Sequence, residues 1–250
     1  MGIFRFKRFN IINERSAMKV NTDGVLLGAS MLIRPEDRRL LDVGTGTGTI
    51  ALMAAQRLTD CLERSGSVSG ESTIRIEAID IDAVSVDEAR DNFKDSPWSD
   101  LLDVRHCSLS DYEKETEGEF DLVFSNPPYF DSSLQAPDQR RSDARHTSTG
   151  LSYRELLEFA GRRLAPDGRI SMVLPADVEN ELCRHARMCG LHLFRIMRIR
   201  TVPRKAPGRI VAEFCRERTS SVEERSLVIQ NEGKYTEEYL SLTHDFYLFS

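Results

Sequence analysis

Two short stretches of this chain carry side chains suited to chemistry. Asn126-Pro127-Pro128-Tyr129 follows the apolar run Phe120-Asp121-Leu122-Val123-Phe124, which reads as a buried strand ending in a rigid turn. The two prolines remove two backbone donors and fix two φ angles, so the Asn126 amide and the carbonyls of the turn are oriented before any substrate arrives. A plain strand-ending loop is the simpler use of such residues, and what lies upstream decides between the two. There, Asp42-Val43-Gly44-Thr45-Gly46-Thr47-Gly48 sets glycines at every second position behind an acid. A dinucleotide fingerprint reads G-x-G-x-x-G and turns a helix N-terminus toward pyrophosphate. Here the acid would repel phosphate but could accept from an ammonium group, directly or through water, which favours a zwitterionic amino-acid ligand such as S-adenosylmethionine.

Asp80, at the tip of the next strand, is placed to accept hydrogen bonds from both ribose hydroxyls of such a ligand. Its plainer role would be a helix N-cap, which Asp82 or Ser85 could fill instead. With a methyl donor in place, the Asn126 turn gains a purpose. An exocyclic or amide nitrogen is a poor nucleophile because its lone pair is delocalised. If the Asn126 side-chain oxygen and the Pro127 carbonyl accept its two N–H bonds, the lone pair is aimed at the methyl group and charge developing on nitrogen is stabilised. Holding the nitrogen about 3 Å from the methyl carbon supplies proximity, and Tyr129 could stack on a planar substrate.

These residues need a scaffold that brings strand ends together. Residues 39–43, 74–79, 101–107, 120–124 and 168–174 read as strands, and 49–57, 83–93, 152–164 and 177–189 as helices, the third opening on a Ser152/Glu155 capping box. That alternation predicts an α/β fold: a Rossmann-like, doubly wound, seven-stranded sheet, mainly parallel, closed by an antiparallel C-terminal hairpin of 191–202 and 209–214. A single domain over residues 1–250 is expected, with 1–37 as a short N-terminal extension holding a weak hairpin and a helix capped by Thr22 or Asp23. Residues 65–72 read as a polar surface insertion, and 130–150 as a long loop placed to act as a substrate-contacting lid.

Composition narrows the setting. No apolar run approaches the ~18 residues of a membrane span, and the five cysteines contain no C-x-x-C, which argues against a disulfide framework or a zinc site. No metal is expected, and a reduced, cytoplasmic location fits. The net charge of −6 speaks against nucleic acid, but its distribution does not. Arg195, Arg198, Arg200, Arg204, Lys205 and Arg209 form a run without an acid; Arg140, Arg141, Arg145 and His146 form another, and Arg5, Lys7 and Arg8 a third. Solvated faces are the commoner fate of one such run, and three together weaken that reading.

The glycine stretch with Asn126-Pro127-Pro128-Tyr129 resembles class I methyltransferases that act on planar nitrogens, both adenine N6 and glutamine side-chain amides. The segment Ser16 through Ala29, the tripeptide Ser96-Pro97-Trp98, Arg145-His146-Thr147-Ser148-Thr149 and the terminal Phe246-Tyr247-Leu248-Phe249 are similar to the bacterial tRNA1(Val) adenosine N6-methyltransferase family. The resemblance runs over nearly the whole chain and implies methyl transfer from S-adenosylmethionine to the adenosine beside the anticodon. It implies cofactor contacts from Asp42, Gly44, Gly46, Gly48, Asp80, Lys19 and Thr22, with Asp23 near the methionine end. It further implies that Asn126, Pro127, Pro128 and Tyr129 hold the adenine, and the basic runs then offer Arg140, Arg141, Arg145, His146, Arg204 and Lys205 as the residues that would meet tRNA. Where relatives carry an acid after the third strand this chain has Ser108, with Asp111 a candidate substitute. A glutamine-amide methyltransferase acting on a protein and a non-catalytic RNA-binding module are the alternatives; the expected state is a monomer.

Overall fold

In Arg39-Leu40-Leu41-Asp42-Val43 every side chain after the first is buried, as in a strand covered on both faces. Leu40 packs into one apolar cluster and Leu41 and Val43 into another, so the period of two has two cores to serve. The same alternation in Ile76, Ala78 and Ile79, and in Leu122, Val123 and Phe124, extends both cores across the sheet.

The computed structural model describes residues 2–16, 18–66, 74–128 and 151–248. The chain opens with an antiparallel hairpin, β1 (Ile3–Arg5) and β2 (Asn10–Ile12), then helix α1 (Thr22–Ser30). Alternating units follow: β3 (Arg39–Val43), α2 (Thr49–Ser65), β4 (Arg75–Asp80), α3 (Ala83–Lys94), β5 (Leu102–His106), α4 (Leu109–Glu115) and β6 (Phe120–Ser125). After these come α5 (Tyr153–Arg163), β7 (Leu164–Pro175), α6 (Glu179–Met188), β8 (His192–Arg200), β9 (Arg209–Cys215) and β10 (Glu223–Val228). A two-stranded ribbon, β11 (Gln230–Asn231) with β12 (Lys234–Tyr235), precedes α7 (Glu237–Thr243).

The main sheet has the order β10-β8-β9-β7-β6-β3-β4-β5. The five strands β3 to β7 are parallel to their neighbours among themselves, and β9 runs antiparallel to both β7 and β8. The expected seven strands are thus present, and β10 adds an eighth, parallel to β8. Glu223-Glu224-Arg225-Ser226 has no apolar residue to announce a strand. Its acids instead reach across to β8, where Glu223 pairs with Arg195 and Glu224 with Arg198. Helix α4 leaves no apolar period in the sequence, because Tyr112 is its single buried side chain.

The N-terminal segment is built into the core. Residues 24–30 of α1 are all buried, and Phe6, Phe9 and Ile11 join the cluster beneath α2. The buried Arg169 guanidinium on β7 ties this segment down, donating to Asp37 Oδ1 at 2.9 Å and to the Leu32 carbonyl. The cap of α1 is Asn21, not Thr22 or Asp23: the Asn21 side chain accepts from the Gly24 N–H at 2.8 Å.

Candidate functional site

Chain order reverses between β3 and β6, and ligands of open α/β sheets bind at the carboxyl ends of strands beside such a reversal. Here the Ser125 hydroxyl donates to the Val43 carbonyl at 2.7 Å, fastening the two strand ends where each chain leaves the sheet. The glycine loop emerges from one and the Asn126 turn from the other. Gly44, Gly46, Asp80, Asn126 and Pro128 line one cleft of about 180 Å³. A smaller recess beside it is lined by Lys19, Asn21, Thr45 and Thr47 and shares Met18, Gly44, Gly46 and Asn126 with the first.

The loop's hydrogen bonds show what kind of ligand it suits. Gly44 and Thr45 N–H donate to the Ile79 carbonyl at 2.9 and 3.0 Å, and Gly46 N–H donates to Asp80 Oδ2 at 2.8 Å. A phosphate cradle needs those N–H groups, and here strand β4 has already taken them. Gly44, Gly46 and Gly48 all adopt positive φ. Gly48 has a second reason to be glycine: a Cβ there would collide with the Phe93 ring. It caps α2 and packs on α3 and is not part of the cleft wall.

Asp42 lies behind the loop, fully buried. Its Oδ2 accepts the Thr45 hydroxyl at 2.7 Å, while Oδ1 has no hydrogen-bond partner among the described residues. Burial pushes its carboxyl up to about 7, helped by the charge of Asp80 and opposed by the Thr45 hydroxyl and, more weakly, by the backbone N–H of Ala51. Asp80 stands on the cleft wall. Burial raises its carboxyl too, opposed by the N–H groups of Asp82 and Gly46. Each Asp80 oxygen accepts one of those bonds, which leaves capacity on both for a further donor. The capping role falls to Asp82, whose side chain accepts from Val84 and Ser85 N–H, so Asp80 is spared it.

Other sequence-predicted residues fall out differently. Lys19 lines the recess, though its ammonium is engaged with the Glu14 carbonyl at 2.6 Å. Thr22 opens α1 and lines neither cavity, and Asp23 is paired with Arg209 at 2.8 Å. Ser108 and Asp111 do not face the cleft: Ser108 caps α4 and its hydroxyl donates to Asp111 at 2.7 Å, while Cys107 and Leu109 line the wall. Pro127 lines a third cavity, of about 280 Å³, with Tyr153 and Arg154; it adjoins the first cleft through Pro128 and Leu151. Tyr129, Arg140, Arg141, Arg145, His146 and the expected lid lie outside the described residues.

The basic run of the hairpin is only partly available. Arg195 pairs with Glu213, Arg198 with Glu179, and Arg209 with Asp23. Arg204 and Lys205 sit exposed in the β8–β9 loop, with no side-chain ion pair among the described residues. Arg209 is in register with Pro175 at the carboxyl end of β7, so this loop leaves the sheet at the same edge as Asn126.

Three contributors escaped sequence reading: Met18, Asn21 and Glu88. Glu88 is buried in α3 and accepts the N–H groups of Glu14, Arg15 and Ser16 at 2.8 to 2.9 Å, lashing the segment before Met18 over the glycine loop. Against the penalty of burial, those bonds hold its carboxyl below the ordinary value. A glutamate inside a helix carries no local signal for that task.

Residues 31–199 match the family described as RMKL-like, methyltransferase domain. The tRNA1(Val) (adenine(37)-N6)-methyltransferase of Phocaeicola vulgatus is 40% identical over 98% of this chain and 97% of its own length. The protein of the same name from Parabacteroides distasonis is 39% identical, over 98% of this chain and 97% of its own. Among solved structures, a predicted O-methyltransferase of Agrobacterium tumefaciens superposes with a TM-score of 0.59 at 16% identity, covering 90% of this chain and 96% of that one. A methyltransferase of Pyrococcus furiosus gives 0.57 at 18% identity, covering 84% and 90%. At such identities the structural likeness is one of fold.

Proposed function

The chain belongs to the tRNA1(Val) (adenine(37)-N6)-methyltransferase family, and from that premise we propose that it transfers a methyl group from S-adenosylmethionine to N6 of adenosine 37, beside the anticodon of tRNA1(Val). The observation that carries this reading is the opening of the Asn126 turn onto the same cleft as Gly44, Gly46 and Asp80, in a chain similar to these enzymes along its length.

The residues present suit the cofactor. When bound, S-adenosylmethionine supplies an electrophilic methyl group on a sulfonium. Asp80 has acceptor capacity for ribose hydroxyls, and Gly46 allows close approach of the loop. Asp42, buried behind a loop whose Gly44, Thr45 and Gly46 N–H groups are consumed, favours an ammonium over a phosphate. Lys19 and Thr22 belong to the segment flanking the methionine end, Lys19 on the recess itself. On the acceptor side, Asn126 Oδ1 and the Pro127 carbonyl take the two N–H bonds of the adenine amino group and steady the positive charge that develops as nitrogen is alkylated. The cavity along Pro127, Pro128 and Tyr153 receives the base, with Tyr129 stacking on it. Arg204, Lys205 and the Arg140, Arg141, Arg145, His146 run hold the RNA backbone. The protein acts as a cytoplasmic monomer; no helix among its described residues is long and apolar enough to cross a membrane.

Transfer of labelled methyl to unmodified tRNA, compared with transfer to a release factor, tests the substrate class. Label appearing only on protein would refute it. Asn126→Ala lowers kcat by about 10²–10³-fold, the usual cost of removing one preorganised group at developing charge, and leaves cofactor affinity nearly intact. Loss of cofactor binding in that variant would move Asn126 from the acceptor site to the cofactor site.

A further inference from the structure

We infer that Asn21, the N-cap of α1, is the positioning residue that turns the Asn126 carboxamide toward its substrate. The inference rests on the methyl-transfer reading above and adds to it a residue outside the turn. A side-chain amide has two nearly isosteric ends, and an acceptor site works only if the oxygen faces the incoming amino group. Something must choose the rotamer.

Asn21 is itself oriented by the backbone. Its Oδ1 accepts the Gly24 N–H at 2.8 Å, as an N-cap does, and its Nδ2 donates to the Lys19 carbonyl at 3.0 Å. With both ends of that amide satisfied in one sense, Asn21 presents an oxygen to its neighbour. Asn126 Nδ2 lies 3.4 Å from that oxygen and 3.9 Å from Met18 Sδ, another acceptor. Both neighbours therefore call for the donor end of Asn126, and its Oδ1 is turned the other way. The contact to Asn21 is long, as catalytic hydrogen bonds often are before substrate binds. Asn126 is only 6% exposed, so solvent offers little competition for its donor end.

Capping and positioning separate by mutation. Asn21→Ser keeps an N-cap oxygen but its side chain stops short of Asn126, whereas Asn21→Asp keeps acceptors for both donors. Assayed with saturating S-adenosylmethionine on unmodified tRNA, Asn21→Ser should retain the wild-type Tm and lose about tenfold in kcat, the worth of one hydrogen bond. Asn21→Asp should recover most of that loss. A second readout needs no turnover: the Asn126 side-chain NH2 signal in a 15N spectrum, identified by its absence in Asn126→Ala, should shift in Asn21→Ser and much less in Asn21→Asp. An unmoved signal, or a kcat unchanged when the signal moves, overturns the inference while leaving the methyltransferase reading intact. If the wild type methylates no tRNA, that reading fails, and the NH2 signal still decides whether Asn21 holds Asn126.

Discussion

Asp42 should make the unliganded protein lose stability as the pH rises. Its carboxyl stands at about 7 in the folded chain against an ordinary 3.8, chiefly because it is buried. The folded state thus keeps a proton that the unfolded chain sheds near pH 4, so unfolding becomes easier across the interval between the two values. About three units at 1.36 kcal/mol each cap the total at about 4 kcal/mol, of which about 2–3 kcal/mol falls between pH 5 and pH 8. Urea unfolding of the wild type and of Asp42→Asn at both values isolates the effect, since the amide keeps the shape and lacks the titration. The wild type should lose about 2–3 kcal/mol more than the variant over that interval; parallel losses would refute the reasoning. A ligand ammonium favours the ionised carboxylate, so binding S-adenosylmethionine should release about one proton at pH 6 and very little at pH 8. Calorimetry in buffers of different ionisation enthalpy reads that number directly, and zero release at pH 6 would remove Asp42 as the ammonium's partner.

The remaining expectations concern RNA and the loop. Replacing Arg204 and Lys205 together with Ala should weaken tRNA binding and flatten the plot of log affinity against log salt by about 1.4, the share of two phosphate contacts on single-stranded RNA. An unchanged slope in filter-binding titrations would place those side chains off the RNA. Gly48→Ala should cost about 1–2 kcal/mol for the left-handed backbone and a further ~1–3 for the clash with Phe93. Urea unfolding should show a partial recovery when Phe93→Leu is added; no recovery would mean that the ring is not what the new methyl meets.

How much of this was legible beforehand depended on how local each signal is. The glycine loop, Asp80 and the Asn126 turn announce themselves because each sits at a strand end, and strand ends are marked by apolar runs breaking into Gly, Asp or Pro. The fold followed from the same runs. Asn21 was hidden because a cap is read only from its neighbours, and Thr22 and Asp23 were equally plausible there. Ser108 looked like a missing cofactor contact until its bond to Asp111 showed a cap. The basic run from Arg195 to Arg209 misled by half, since the acids that neutralise Arg195, Arg198 and Arg209 come from distant Glu213, Glu223, Glu179, Glu224 and Asp23. Ion pairing between strands leaves no mark in a linear charge pattern.

The hairpin shows why that local misreading still pointed in a useful direction. Strands β8 and β9 need their arginines to hold β10 and α6 at the sheet edge, and the turn between them needs none. Arg204 and Lys205 lie in that turn, beyond reach of the acids, at the carboxyl edge where Asn126 and the glycine loop also end. Charge with no ion pair among the described residues, on a chain of net −6, is charge an anionic partner can use, and under the function proposed above it stands where an RNA presenting one base to Asn126 would lay its backbone. The paired arginines build the edge, and on the reading proposed above Arg204 and Lys205 in the turn are the charges that meet what arrives there.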